Sequence, residues 1–112
     1  MARHGDRAAA QQDEASALRS ALAELVRSVL ESPGSVAIEA RRSAFGGEVR
    51  PELTDLVEKI RRHAYKITDP DIGRLRACGY SEDQIFEITI AAAVGAGVSR
   101  LEAGMSALRG PV

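Results

Sequence analysis

Few residues in this sequence have the type and spacing to do chemistry. The single cysteine, Cys78, stands in the run Arg74-Leu75-Arg76-Ala77-Cys78-Gly79. The two arginines favour its thiolate, whereas a position at a helix end disfavours it. A packing role outweighs a reactive one. His63 and Tyr65, with nearby carboxylates, are candidate acid–base groups. A helical wheel sends Tyr65 well away from His63, so the pair does not converge within one subunit. The expected role of His63 is a half-covered, hydrogen-bonded histidine at the edge of an apolar stripe. Glu87 and Arg100 flank an uncharged run, and an ion pair with a neighbouring helix is favoured for them over a small pocket at a subunit interface. The Arg41-Arg42 pair could meet a phosphate, but an exposed helix face explains it better. Gly95-Ala96-Gly97 neither follows a strand nor opens a helix, as a nucleotide loop would. One cysteine makes neither an intrachain disulfide nor a cysteine-based zinc site; no cofactor and no metal are expected.

Helices must position these groups. From Ser81 to Leu108, at 100° per residue, Phe86, Ile90, Val94, Leu101, Met105 and Leu108 share one broad face. Ile85, Ile88, Ala92, Gly95 and Ala96 share the other. A helix apolar on both faces is a buried helix, and this stretch reads as the central post of the fold. Its apolar run is shorter than the roughly 20 residues of a membrane span. Gly95 and Gly97 each cost about 1 kcal/mol of helix propensity relative to Ala, which points to close approach of neighbouring backbones.

Upstream, Leu18, Leu22, Leu25, Val26, Val29 and Leu30 form an amphipathic stripe that Ser32-Pro33-Gly34 stops. The segment VAIEARRSAF reads as a second helix ended by Gly46-Gly47. A third opens at Pro51, pre-set for a first helical turn, with Leu53, Leu56, Val57, Ile60, Ala64 and Ile67 as its stripe. Thr68 to Asp71 is close to a capping box and opens a short helix to about Cys78, with Gly79 as its C′ residue. Ser81 to Gln84 is a second capping box. No segment alternates with period two. The reading is an all-α helical bundle of about five helices around a buried C-terminal helix. Residues 1–14 are expected as a disordered or frayed tail and 15–110 as a single helical domain.

The composition bounds what such a domain can do. With 45% apolar residues among 112, only 4% aromatic and no Trp, the core is modest and filled by Leu, Ile, Val and Ala. Association with copies of itself is the natural way to bury more surface. A net charge of −1 gives no push toward nucleic acid or an anionic membrane, and neither is expected as a partner. With no apolar leader segment in view, the expected location is the cytosol.

The run HAYKITDPDIGRLRACGYSEDQIFEITIAAAVGAGVSRLEAGMSAL resembles the C-terminal half of the carboxymuconolactone decarboxylase-like family, which includes the alkylhydroperoxidase D proteins. The resemblance rests on the Thr-capped acidic helix from Thr68 to Leu75, on Ala77 with Gly79-Tyr80, and on the Ser81 box with Ile85, Phe86 and Glu87. The Ala-rich post ending in Arg100-Leu101 matches as well. It spans Leu53 to Leu108, about half the chain, and implies an alkylhydroperoxidase D-like fold that forms homo-oligomers. Redox members of that family resemble one another in a C-x-x-C pair, a His four residues after the second Cys, and an upstream Glu. That motif is missing here, so no catalytic residue carries over, and a dithiol peroxidase mechanism within this chain alone is excluded.

Three functions remain open. The first is a non-redox oligomeric interaction or scaffold module. The second is a decarboxylase-like acid–base enzyme acting on a small organic acid, with His63, Tyr65, Glu87 and Arg100 as candidates. The third is the second half of a split fold whose cysteine pair lies on a separate chain. Loss of the one specific catalytic motif favours the first, as an obligate homo-oligomer held through the central and third helices.

Overall fold

A computed structural model describes residues 4–110, with the backbone alone at residues 4–8 and at Tyr65. Five helices follow in order: α1 (His4–Glu31), α2 (Ile38–Gly46), α3 (Pro51–His63), α4 (Asp69–Ala77) and α5 (Glu82–Arg109), with one 3-10 turn at Ala64–Lys66. No strand occurs among the described residues. The fold is all-α, as the missing period-two pattern predicts. The chain divides at the Pro33-Gly34 break into two compact units, Met1–Ser32 and Pro33–Val112.

The first unit is α1, helical from His4 onward. Its stripe holds the expected leucines, of which Leu18 is 72% and Leu25 51% exposed.

The second unit is built on α5. The helix is 28 residues long, and its first half buries one face: Ile85, Ile88, Ala91, Ala92, Gly95 and Ala96. α2 is its main cover and α3 its second, with α4 touching both α3 and α5 more lightly. α3 presents Leu53, Leu56, Val57 and Ile60 inward, the i, i+3, i+4, i+7 spacing that keeps one side of a helix on a core. Ala44 of α2 and Leu75 of α4 complete it. α2 crosses α5 so closely that a Cβ on Gly95 would run into the Phe45 carbonyl, whereas one on Gly97 would meet nothing within 4 Å. The close approach expected of both glycines is real at the first only.

The punctuation of the chain is the predicted one. Gly47 (φ 85°) and Gly79 (φ 100°) end α2 and α4 in the left-handed region, where a glycine lacks the Cβ penalty. Asp71 accepts from the Thr68 amide at 2.8 Å and its hydroxyl at 3.1 Å. The Ser81 amide donates to Gln84 at 2.9 Å, and the Gln84 amide to Ser81 Oγ at 3.1 Å. Each box satisfies backbone donors that a helix start leaves open.

Four expectations are corrected. Arg41 is not on an exposed face: it is 4% exposed, and its Nε donates to the Val36 carbonyl at 3.1 Å, closing the turn that leads into α2. α3 stops at His63 rather than reaching Ile67, because the chain tightens into the 3-10 turn before Thr68 opens α4. α5 is buried on one face only. Ile88 and Ala92 are buried and Val94 is half-buried, but Phe86 is 64%, Leu101 47% and Leu108 88% exposed. Lastly, shortness does not set α5 apart from a membrane span. Among the described residues it is the one helix long and apolar enough to cross a membrane, with a best window of mean hydropathy 1.2. The core helix of a soluble protein passes the same test.

Candidate functional site

Glu87 and Arg100 sit on α5, thirteen positions apart. At 1.5 Å of rise per residue that is about 20 Å along the axis, and each reaches a different neighbour. Glu87 Oε1 accepts from the Ser35 amide at 2.9 Å. Gly34 makes room for it, since a Cβ there would run into the Glu87 carboxylate. Its second oxygen, Oε2, is buried without a hydrogen-bond partner. Arg100 donates to the carbonyl of Arg61, near the C-terminal end of α3, where free carbonyls and the helix dipole favour a cation. Arg61 in turn donates from Nη1 to the Phe45 carbonyl at 3.2 Å. The expected ion pairs with a neighbouring helix are replaced by backbone contacts. Each of these charges holds a chain segment against α5.

His63 closes α3, two residues after the carbonyl that Arg100 holds, and is exposed rather than half covered. Leu56 and Ile60, beside which it was expected to lie, are buried, but their cover does not extend to this last residue of the helix. The Tyr65 side chain lies outside the described residues. Arg100 thus reaches the end of α3 near His63, while Glu87 braces the loop before α2. Of the candidates whose side chains are described, His63 and Arg100 lie at the end of α3 and Glu87 does not join them. Cys78 caps α4 in helical geometry, its amide donating to the Arg74 carbonyl, yet it is exposed, so the packing role expected of it is corrected: the buried side of α4 ends at Leu75, one turn before it.

Between α2, the loop after it and the start of α5 lies a cleft of about 670 Å³. Val36, Ala44, Leu53 and Ile88 give it an apolar floor, with Arg50, Tyr80 and Gln84 at its wall. Tyr80 donates to Glu52 Oε1 at 2.7 Å. That hydrogen bond is the main reason the Glu52 carboxyl is held below its usual range. Burial first, and then the same bond, pushes the Tyr80 phenol upward. At neutral pH the tyrosine is therefore a donor and the glutamate an ionised acceptor. The pair ties the start of α5 to α3 and offers no activated base. Sequence reading missed it because the two residues stand 28 positions apart. The only signal was a tyrosine immediately after the Gly79 turn.

The strongest polar cluster surrounds Asp71, which is buried. Lys59 donates to it at 2.9 and 3.0 Å, and Arg74 pairs with the same carboxylate while also reaching Asp55 at 3.4 Å. Lys59, helped by the Thr68 amide, lowers the Asp71 carboxyl from 3.8 to about 2. A carboxylate whose folded value is depressed contributes stability above its unfolded value, and that contribution is lost as pH falls toward the folded one. The acid limb of stability between about pH 4 and pH 2 should therefore be steep in the native chain and flatter in Asp71→Asn. Urea midpoints measured across that window check this; equal slopes for the two proteins would contradict it.

Among the described residues no group of three or more His, Cys, Asp or Glu is placed to hold a metal ion. What the arrangement does instead, within the second unit, is clamp α2, α3 and the loop before α2 onto one face of the first half of α5. Compared with family models, curated proteins and solved structures, the chain matches none of them.

Proposed function

We propose that this chain is a non-redox helical interaction module that assembles with copies of itself, on the plan of the carboxymuconolactone decarboxylase-like proteins that its C-terminal half resembles. One observation carries the reading. On one face of α5, Phe86, Leu101 and Leu108 are exposed and Ile90 and Val94 half-buried, with no charge among them, while Ile85 to Ala96 on the opposite side complete the core and the helix beyond them is exposed. Contiguous open apolar surface of this kind marks an interface. A partner chosen by charge has little to recognise on a chain of net charge −1, and self-pairing is the commonest arrangement of soluble oligomers. Glu87, Arg100, Asp71 and Tyr80 are used in holding the fold, which is what a scaffold requires of them.

The acid–base alternative asks His63, Tyr65, Glu87 and Arg100 to share a site. Glu87 and Arg100 hold different backbone segments instead, and no observation favours that reading. The exposed lone thiol of Cys78 provides the test. Donor-labelled and acceptor-labelled chains, mixed at micromolar concentration, should show energy transfer that unlabelled chain competes away. Absence of transfer at every concentration would defeat the proposal.

A further inference from the structure

We infer that α5 pairs antiparallel with α5 of a second copy, about a two-fold axis that passes at Gly97. The inference rests on the self-association just proposed and specifies its geometry. Along the centre of the open face stand Phe86, Ile90, Ala93, Gly97, Leu101, Gly104 and Leu108. They are spaced by threes and fours, as residues on one side of a helix must be. No close approach among the described residues requires a glycine at Gly97 or Gly104. A Cβ on either would meet nothing within 4 Å, yet glycine in a helix interior costs stability. Gly95, on the buried face, is explained by α2, and these two are not. Both lie on the face that nothing in the unit covers.

The stripe is complementary to its own reverse. Laid antiparallel with Gly97 opposite Gly97, it sets Ala93 against Leu101, Ile90 against Gly104 and Phe86 against Leu108. Two of the three distinct pairs place a large side chain over a small one, and the backbones come closest at the glycine on the axis. A two-fold interface demands this reciprocity: if residue i meets j, then j meets i. A parallel pairing would instead put Phe86 on Phe86 and Gly104 on Gly104, with collision at one level and a void at another. Charge agrees with the antiparallel sense. Asp83 lies in the first turn of α5 and Arg109 in the last, so each end brings an acid near a base while the helix dipoles oppose. The stripe of α1, with Leu18, Leu22, Leu25 and Val29, is uniformly large and lacks this alternation.

Cross-linking tests the register. In a Cys78→Ser background, Ala93→Cys alone and Leu101→Cys alone should not form disulfide dimers, since each is about 12 Å along the axis from its own copy and a disulfide spans at most about 7 Å between Cα atoms. The two variants mixed should cross-link to each other. Self-cross-linking of Ala93→Cys would show a parallel pair and overturn the inference, as would cross-linking of Leu101→Cys to a Leu18→Cys chain in place of Ala93→Cys. A chain that self-associates without the mixed cross-link defeats the pairing and leaves the module reading standing; a chain that never associates defeats both. Gly97→Leu is the companion variant. It should weaken self-association about tenfold or more through overpacking at the axis, with helix content by circular dichroism unchanged. Undiminished association in this variant would overturn the inference.

Discussion

Gly95→Val is expected to destabilise the 33–110 unit by about 3 kcal/mol, although valine has the better helix propensity. The obstacle is backbone. Any Cβ at this position runs into Phe45 at the end of α2, and a carbonyl cannot move aside as a flexible side chain can. The Phe45 carbonyl is also anchored, because Arg61 of α3 donates to it at 3.2 Å. Relief therefore requires α2 to lift off α5, its main partner. Against the roughly 5–15 kcal/mol that holds a small domain folded, such a loss is large enough to populate the unfolded chain. Urea unfolding followed by circular dichroism measures it. A midpoint equal to that of the native chain would show that the crossing of α2 over α5 is not a tight one.

Leu101→Glu carries the second large effect, on assembly rather than on folding. Leu101 is 47% exposed in the single chain, so a carboxylate there remains in water and leaves the monomer fold intact. Within an interface the same carboxylate would be buried without a partner, at a cost of several kcal/mol. The dissociation constant should rise about a hundredfold or more, with unchanged circular dichroism. Native-like association of Leu101→Glu would place the interface elsewhere, with the exposed leucines of α1 as the next surface to test.

What was legible in the sequence was what neighbours in the chain decide. Both capping boxes, the Gly47 and Gly79 helix ends and the Pro51 start depend on residues within four positions of one another, and all are present. The Leu53–Ile60 stripe and the Ile85–Ala96 face followed from helical periodicity alone. What escaped depends on tertiary placement. Arg41 read as a surface charge because periodicity does not show its burial, although the Val36 carbonyl it bonds is only five residues back. Tyr80 and Glu52 stand 28 positions apart, and only the return of the chain through α4 joins them. His63 and Cys78 were misread because each lies at the last turn of its helix, beyond the residues Ile60 and Leu75 where tertiary cover ends. The Phe86–Leu108 face was read correctly as apolar, but its cover could not be read from one chain, since complementarity between copies leaves no mark on local propensity.

The claim underneath all of this is that the open face of α5 is closed by another copy. Sedimentation velocity of the untagged native chain, run from low to high micromolar concentration, measures it directly. The account predicts a species heavier than the 11.9 kDa chain, dissociating only on dilution. A single, well-folded 11.9 kDa species across the whole range would contradict it.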